Sequence, residues 1–197
     1  MNHETLPIPR GHRRHPAPRS ILRHHAQQPL RSKFRRREAQ RPFLYSQDLV
    51  IENSTPVNLS ATLQRIITRL IVISTDPKPE NVKDVRIYLS KGGTAFNPVT
   101  GFSSADAGFV NTISLNTAVG EITKLRTTLF IAALEDNLDV TLETLDASGT
   151  VLNTRMVNAV PFKRNRATFL TGSIFSASGS ASFQLETDFE KDYYLDF

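Results

Sequence analysis

The side chains that could do chemistry in this chain are few. Asp188, Glu190 and Asp192 alternate in the stretch Asp188-Phe189-Glu190-Lys191-Asp192. Oxygen donors of this kind suit a hard cation such as Ca²⁺. They equally suit an acidic, solvated turn before a terminal strand. Lys191 in the middle and the lack of a Gly-bent loop favour the turn. Glu135/Asp136 and Glu143/Asp146 pair carboxylates, but no His, Lys or aromatic setting tunes them for proton transfer. No His and no Cys follow residue 42. Ser-His-Asp and Cys-His catalysis are therefore excluded there, and zinc would have carboxylates alone. Gly92-Gly93-Thr94 lacks the Lys and the following helix of a phosphate loop. The expectation is a protein that is not an enzyme, with no catalytic residue, no cofactor and no metal site.

One cationic motif stands out. Lys163-Arg164-Asn165-Arg166 follows Pro161-Phe162. Four such residues could contact an anion or a nucleic acid, or could form a solvated bend between strands. We read the motif as structural: Asn tolerates turn conformations and bonds its own backbone. Asn165 then shapes a bend before a strand at Thr168. Gly172 marks a bulge or a close backbone approach. Lys163, Arg164, Asn165, Thr168 and Gly172 are the predicted structural set.

The elements that position these residues begin after a break in composition near residue 42. Residues 1–42 hold ten Arg, one Lys, all five His and only two acids, a net charge of +9. The remaining 155 residues carry −4, so the whole-chain +5 describes neither part. An arm this polar and Pro-rich cannot bury enough apolar surface to offset its ordering entropy, which predicts disorder. Its charge would suit phosphates. Its composition also resembles out-of-frame translation of GC-rich DNA. No apolar run reaches membrane-spanning length and the N-terminus has no apolar signal region.

From Phe43 onward, short apolar segments alternate with turns. Strands are expected at Leu49–Ile51, Val57–Ser60, most of Leu63–Ser74, Val85–Leu89, Ile113–Leu115 and Leu125–Leu134. Others are expected at Val140–Leu145, Val151–Val157, Thr168–Ile174 and Ser182–Thr187. Asp146-Ala147-Ser148-Gly149 is a hairpin turn. Short strands at regular spacing without a long helix indicate an all-β sandwich of about seven strands over 43–197.

Two segments carry a family resemblance. Val160 to Phe175, VPFKRNRATFLTGSIF, resembles the segment VPLKRNYRTNLTGNLL of fimbrillin-like proteins of Bacteroidales. Leu63 to Val72, LQRIITRLIV, is similar to that family's LKRIVARIDV strand. The resemblance implies a transthyretin-like β-sandwich. It also implies a structural cell-surface or outer-membrane role, as a fimbrial subunit or an adhesion and anchor component. Partners would be other fimbrial subunits, or a second copy joined by sheet-edge pairing. The chain departs from the family in showing no signal peptide and no lipobox Cys, and in carrying the arm where a first strand is expected. If the arm displaces that strand, an edge is left open. The strongest apolar strands, Leu63–Ile73 or Leu125–Leu134, would then present uncovered faces. Tyr193, Tyr194, Leu195 and Phe197 form a candidate strand-exchange segment. The alternative is a virus-like coat protein whose arm binds packaged nucleic acid.

Overall fold

The computed structural model describes residues 42–48, 58, 60–176 and 181–185. The expected arm, the strand at Leu49–Ile51, the Asp188 to Asp192 acids and the Tyr193 to Phe197 segment lie outside them. Ten strands follow in chain order: β1 (Phe43–Leu44), β2 (Gln64–Arg65), β3 (Thr68–Pro77), β4 (Asp84–Leu89) and β5 (Phe109–Ser114). Then come β6 (Ile122–Leu129), β7 (Glu135–Leu145), β8 (Val151–Lys163), β9 (Ala167–Gly172) and β10 (Ala181–Leu185). No helix occurs among the described residues. The architecture is all-β, with eight strands in two four-stranded sheets where about seven were expected.

One sheet runs β10-β9-β3-β6 and the other β5-β4-β7-β8. β1 and β2 form a separate two-stranded pair. Leu70, Val72, Leu125, Leu129 and Leu170 of the first sheet pack against Val85, Ile87, Val140, Leu142 and Phe162 of the second. Burial of these faces, worth roughly 25 cal/mol per Å² of apolar surface, drives the two sheets together.

The run Leu70-Ile71-Val72-Ile73 explains the centre of the first sheet. Leu70 and Val72 face the inter-sheet core, whereas Ile71 and Ile73 join a second cluster with Ile66, Ile67, Phe130 and Phe169. β3 is therefore covered on both faces, and such strands read as continuous apolar runs. It pairs parallel with β9 and antiparallel with β6. This corrects one expectation. Within Leu63–Ile73, β3 presents no uncovered face, because it lies between two strands and under a second cluster, whereas Leu63, ahead of β2, is 63% exposed. The other expected face, Leu125–Leu134, is met in part. β6 ends its sheet with β3 as its one strand neighbour among the described residues, and Leu134 is 62% exposed, but β6 stops at Leu129 and Leu125, Leu129, Phe130 and Ile131 are buried. Ser60 and Asn58, inside the expected Val57–Ser60 strand, have no strand conformation.

β7 shows the alternation its sequence dictates: Val140, Leu142 and Thr144 are buried. Its pairing with β8 shifts register between Leu138 and Val140. At that bulge Ala159 adopts φ 54°, and its N–H donates to Asp139 Oδ1 at 2.9 Å. The Asp139 N–H in turn donates to Ser90 Oγ at 2.9 Å. One carboxylate and one hydroxyl thus hold the extra residue in place.

Candidate functional site

The turn that joins β8 to β9 brings the cationic motif together. Lys163 ends β8 opposite Glu135, and their side chains form an ion pair. Arg164 and Asn165 form the turn. The Asn165 backbone is left-handed at φ 59°, which Asn tolerates better than most residues. Its N–H donates to the Ile67 carbonyl at 2.8 Å. Its Oδ1 accepts from Arg65 Nη1 at 3.3 Å. The Arg164 guanidinium lies 5.2 Å from the Phe102 ring centroid and donates to the carbonyls of Arg65 and Thr100, both at 3.4 Å. Burial pushes its pKa below the ordinary arginine value. Arg164 thereby ties the turn to the Gly92–Gly108 loop. Gly101 sits so close that an added Cβ would meet Arg164 Nη2 at 3.0 Å and Ile66 Cγ2 at 2.9 Å.

Thr168 is fully buried and its hydroxyl donates to the Pro161 carbonyl at 2.6 Å. This bond stitches the start of β9 to the end of β8. Gly172, at the far end of β9, pairs with Ala181 and Ser74. The predicted set therefore splits. Lys163, Arg164, Asn165 and Thr168 meet at one end of the sandwich, while Gly172 lies at the other end of β9.

Gly172 borders a second feature that the sequence did not announce. A groove of about 360 Å³ opens between β8 and β9. Val72, Leu142, Val157, Leu170 and Ile174 form its apolar floor and Met156 its rim. Met156 is 66% exposed. At one end the groove is crossed by polar bonds. Arg155 Nε donates to the Ser173 carbonyl at 3.1 Å, and Asn153 Nδ2 to the Ile174 carbonyl at 3.1 Å. β8 has a single hydrogen-bonded neighbour, β7, among the described residues. Its thirteen residues make it the longest strand among the described residues, and its place at the end of the sheet order makes it an edge.

Asp76 organises the loop beyond Gly172. Its carboxylate accepts from the N–H groups of Ile174, Phe175 and Ser176, each at 2.9 Å, and from Ser173 Oγ at 2.7 Å. Burial opposes its ionisation, but these four donors outweigh that and hold its pKa below the ordinary aspartate value. Asp76 is the penultimate residue of β3, which ends at Pro77, and nothing local in the sequence marks its partners, 97 to 100 residues away. No cluster of three or more His, Cys, Asp or Glu that could hold a metal occurs among the described residues.

A family model matches residues 30–196. The chain belongs to DUF6562, a family of unknown function. No curated protein matches it. Among solved structures it is similar to a candidate cell-adhesion protein of Bacteroides uniformis, at 18% identity and a TM-score of 0.40. That match covers 65% of this chain and 52% of the other. A candidate cell-adhesion protein of Bacteroides ovatus matches at 11% identity and a TM-score of 0.42, over 65% of this chain and 47% of the other. The tip fimbrial protein Mfa3 of Porphyromonas gingivalis, truncated at its C-terminus, matches at 13% identity and a TM-score of 0.38. It is covered to 52%, and this chain to 62%. The DUF6562 chain thus spans about half the length of the structures it matches.

Proposed function

We propose that this DUF6562 protein is a non-enzymatic structural subunit of the cell surface, of the fimbrillin-like kind, that assembles by β-strand pairing. The observation that carries the reading is β8. It is a long edge strand beside an apolar groove, with Leu152 41% and Met156 66% exposed. An unpaired edge offers N–H and C=O groups to a further strand, and alternate side chains of that strand can fill a groove. The resemblance of Leu63–Val72 and Val160–Phe175 to fimbrillin-like segments points the same way. Tyr193, Tyr194, Leu195 and Phe197 supply aromatic and aliphatic side chains for such a strand. In this reading the partners are other fimbrial subunits or a second copy. Lys163, Arg164, Asn165, Thr168 and Gly172 act as structural residues that shape the β8–β9 connection. The virus-like alternative rests on a basic arm ahead of a β-sandwich, a layout that no feature of β8 or its groove supports.

The test is sedimentation of the full chain by analytical ultracentrifugation across a range of concentrations. Self-association is expected. It should weaken in Met156→Lys, which places a charge on the edge, and in a chain lacking residues 193–197. A monomer at every concentration, unchanged by either alteration, overturns strand-pairing assembly.

A further inference from the structure

One end of the sandwich concentrates positive charge. Lys163, Arg164 and Arg166 lie on the β8–β9 turn, and Arg65 reaches the same turn through Asn165. Of the three turn cations, only Lys163 pairs with a carboxylate among the described residues, that of Glu135. Arg164 and Arg166 donate to backbone carbonyls instead, at 3.4 Å. Carbonyl oxygens solvate a guanidinium but do not neutralise it.

β10 delivers the chain to this same end. It runs antiparallel to β9, so Ala181 sits opposite Gly172 and Leu185 opposite Thr168. The chain leaves β10 two positions along the ladder from Arg166. The residues that follow are Glu186, Asp188, Glu190 and Asp192, with Lys191 the one cation among them. At about 3.3 Å per extended residue, three residues of chain reach at most roughly 10 Å from Leu185, enough to bring Asp188 to this end.

We propose that residues 186–192 dock in cis on this basic end, with the Glu186, Asp188, Glu190 and Asp192 carboxylates facing Arg164 and Arg166. Placement decides the occupant. The acidic stretch is tethered at the surface it complements, so its effective concentration there is in the millimolar range or above. Docking would anchor the start of the segment that ends in Tyr193 to Phe197. It stands whether or not that segment later pairs with a sheet edge, because it concerns the acids and not the terminal aromatics.

The chain has no Cys, so one introduced thiol reports cleanly. A nitroxide on Phe189→Cys in the full chain should give an immobilised electron paramagnetic resonance line. The line should become mobile in Arg164→Glu/Arg166→Glu, and in 1 M salt, where the Debye length falls to about 3 Å. Lys124→Glu, exposed on β6 away from this end, should leave it immobilised. If the double arginine variant fails to fold, Glu186→Gln/Asp188→Asn/Glu190→Gln/Asp192→Asn carries the same label and should show the same release. A mobile label in the otherwise native chain overturns the proposal. So does immobilisation that survives the carboxylate substitutions and high salt. Immobilisation that appears only as protein concentration rises overturns docking in cis and assigns the tail to a second copy.

Discussion

Asn165 and Arg65 meet at 3.3 Å across 100 residues of chain, the amide oxygen of one accepting from the guanidinium of the other. This contact locks the β8–β9 turn onto the strand that leads into β3. It also gives Asn165 two duties, a left-handed backbone and a long-range acceptor.

The two duties can be separated by substitution. Asn165→Gly keeps the backbone conformation and loses the acceptor. Asn165→Ala loses both. Urea denaturation should show the Ala variant about 1–2 kcal/mol less stable than the native chain, and the Gly variant closer to it. Equal losses would mean that the left-handed backbone contributes nothing. Unchanged stability with loss of binding to a surface partner would make the motif a binding site instead of a structural turn.

Asp76 predicts a pH dependence. Its pKa is held low by the Ser173 hydroxyl and three backbone N–H groups against the opposing effect of burial. The folded state therefore favours the carboxylate more than the unfolded state does. The resulting stability is present above the unfolded pKa and disappears as pH falls through the folded one. The native chain should lose stability relative to Asp76→Ala as pH drops below the ordinary carboxylate range. At neutral pH the Ala variant should be about 1–2 kcal/mol less stable, because the three N–H groups lose their acceptor. Parallel stability curves for the two proteins between neutral and acidic pH would refute this role.

How far the sequence showed these features depends on whether they are local. β7 was legible because its alternation is local and its two faces differ. β3 was legible as a strand, since Leu70-Ile71-Val72-Ile73 is wholly apolar and its last three residues are β-branched. Its central place was not, because two-sided burial and an open apolar edge give the same run of residues. The Asn165 bend could be read from turn chemistry, but its partner Arg65 could not, since nothing local marks a contact so distant in the chain. The groove beside β8 escaped for the same reason. Val72, Leu142, Leu170 and Ile174 come from β3, β7, β9 and the loop after β9, and only the packing of the two sheets makes them one surface.

The bulge in β8 gives a third expectation. Ala159 carries a Cβ at φ 54°, a conformation that costs an L-residue roughly 1–2 kcal/mol. A β-branched residue there meets greater steric conflict. Ala159→Val should lower the thermal midpoint, by about 1–2 kcal/mol in free energy, whereas Ala159→Asn should be tolerated. Equal melting temperatures for the Val and Asn variants would show that β8 relaxes into a regular ladder.

Gly92 opens the long loop that Arg164 and Phe102 tie to the β8–β9 turn, and its backbone leaves no room for a side chain. It adopts φ +91°, where L-residues are rare. An added Cβ would lie 2.7 Å from Leu129 Cδ1 and 2.9 Å from the Phe130 carbonyl oxygen. The leucine tip can move aside. The carbonyl cannot, because it accepts from the Gly93 N–H at 3.0 Å and the Phe130 N–H returns the bond to Gly93 at 2.9 Å. Gly92→Ala must therefore distort this two-bond bridge or push the loop off Phe130, which is fully buried in the second cluster. Overpacking and backbone strain together should cost about 2–3 kcal/mol. Because Phe96 packs against Phe130 with ring centroids 4.9 Å apart and planes tilted by 32°, the loop should loosen with it. Faster amide exchange at Gly93 and Asn97 in Gly92→Ala, with β4 and β7 unchanged, is the expected pattern. Native exchange rates throughout the loop would show that the Gly93–Phe130 bridge does not hold it in place.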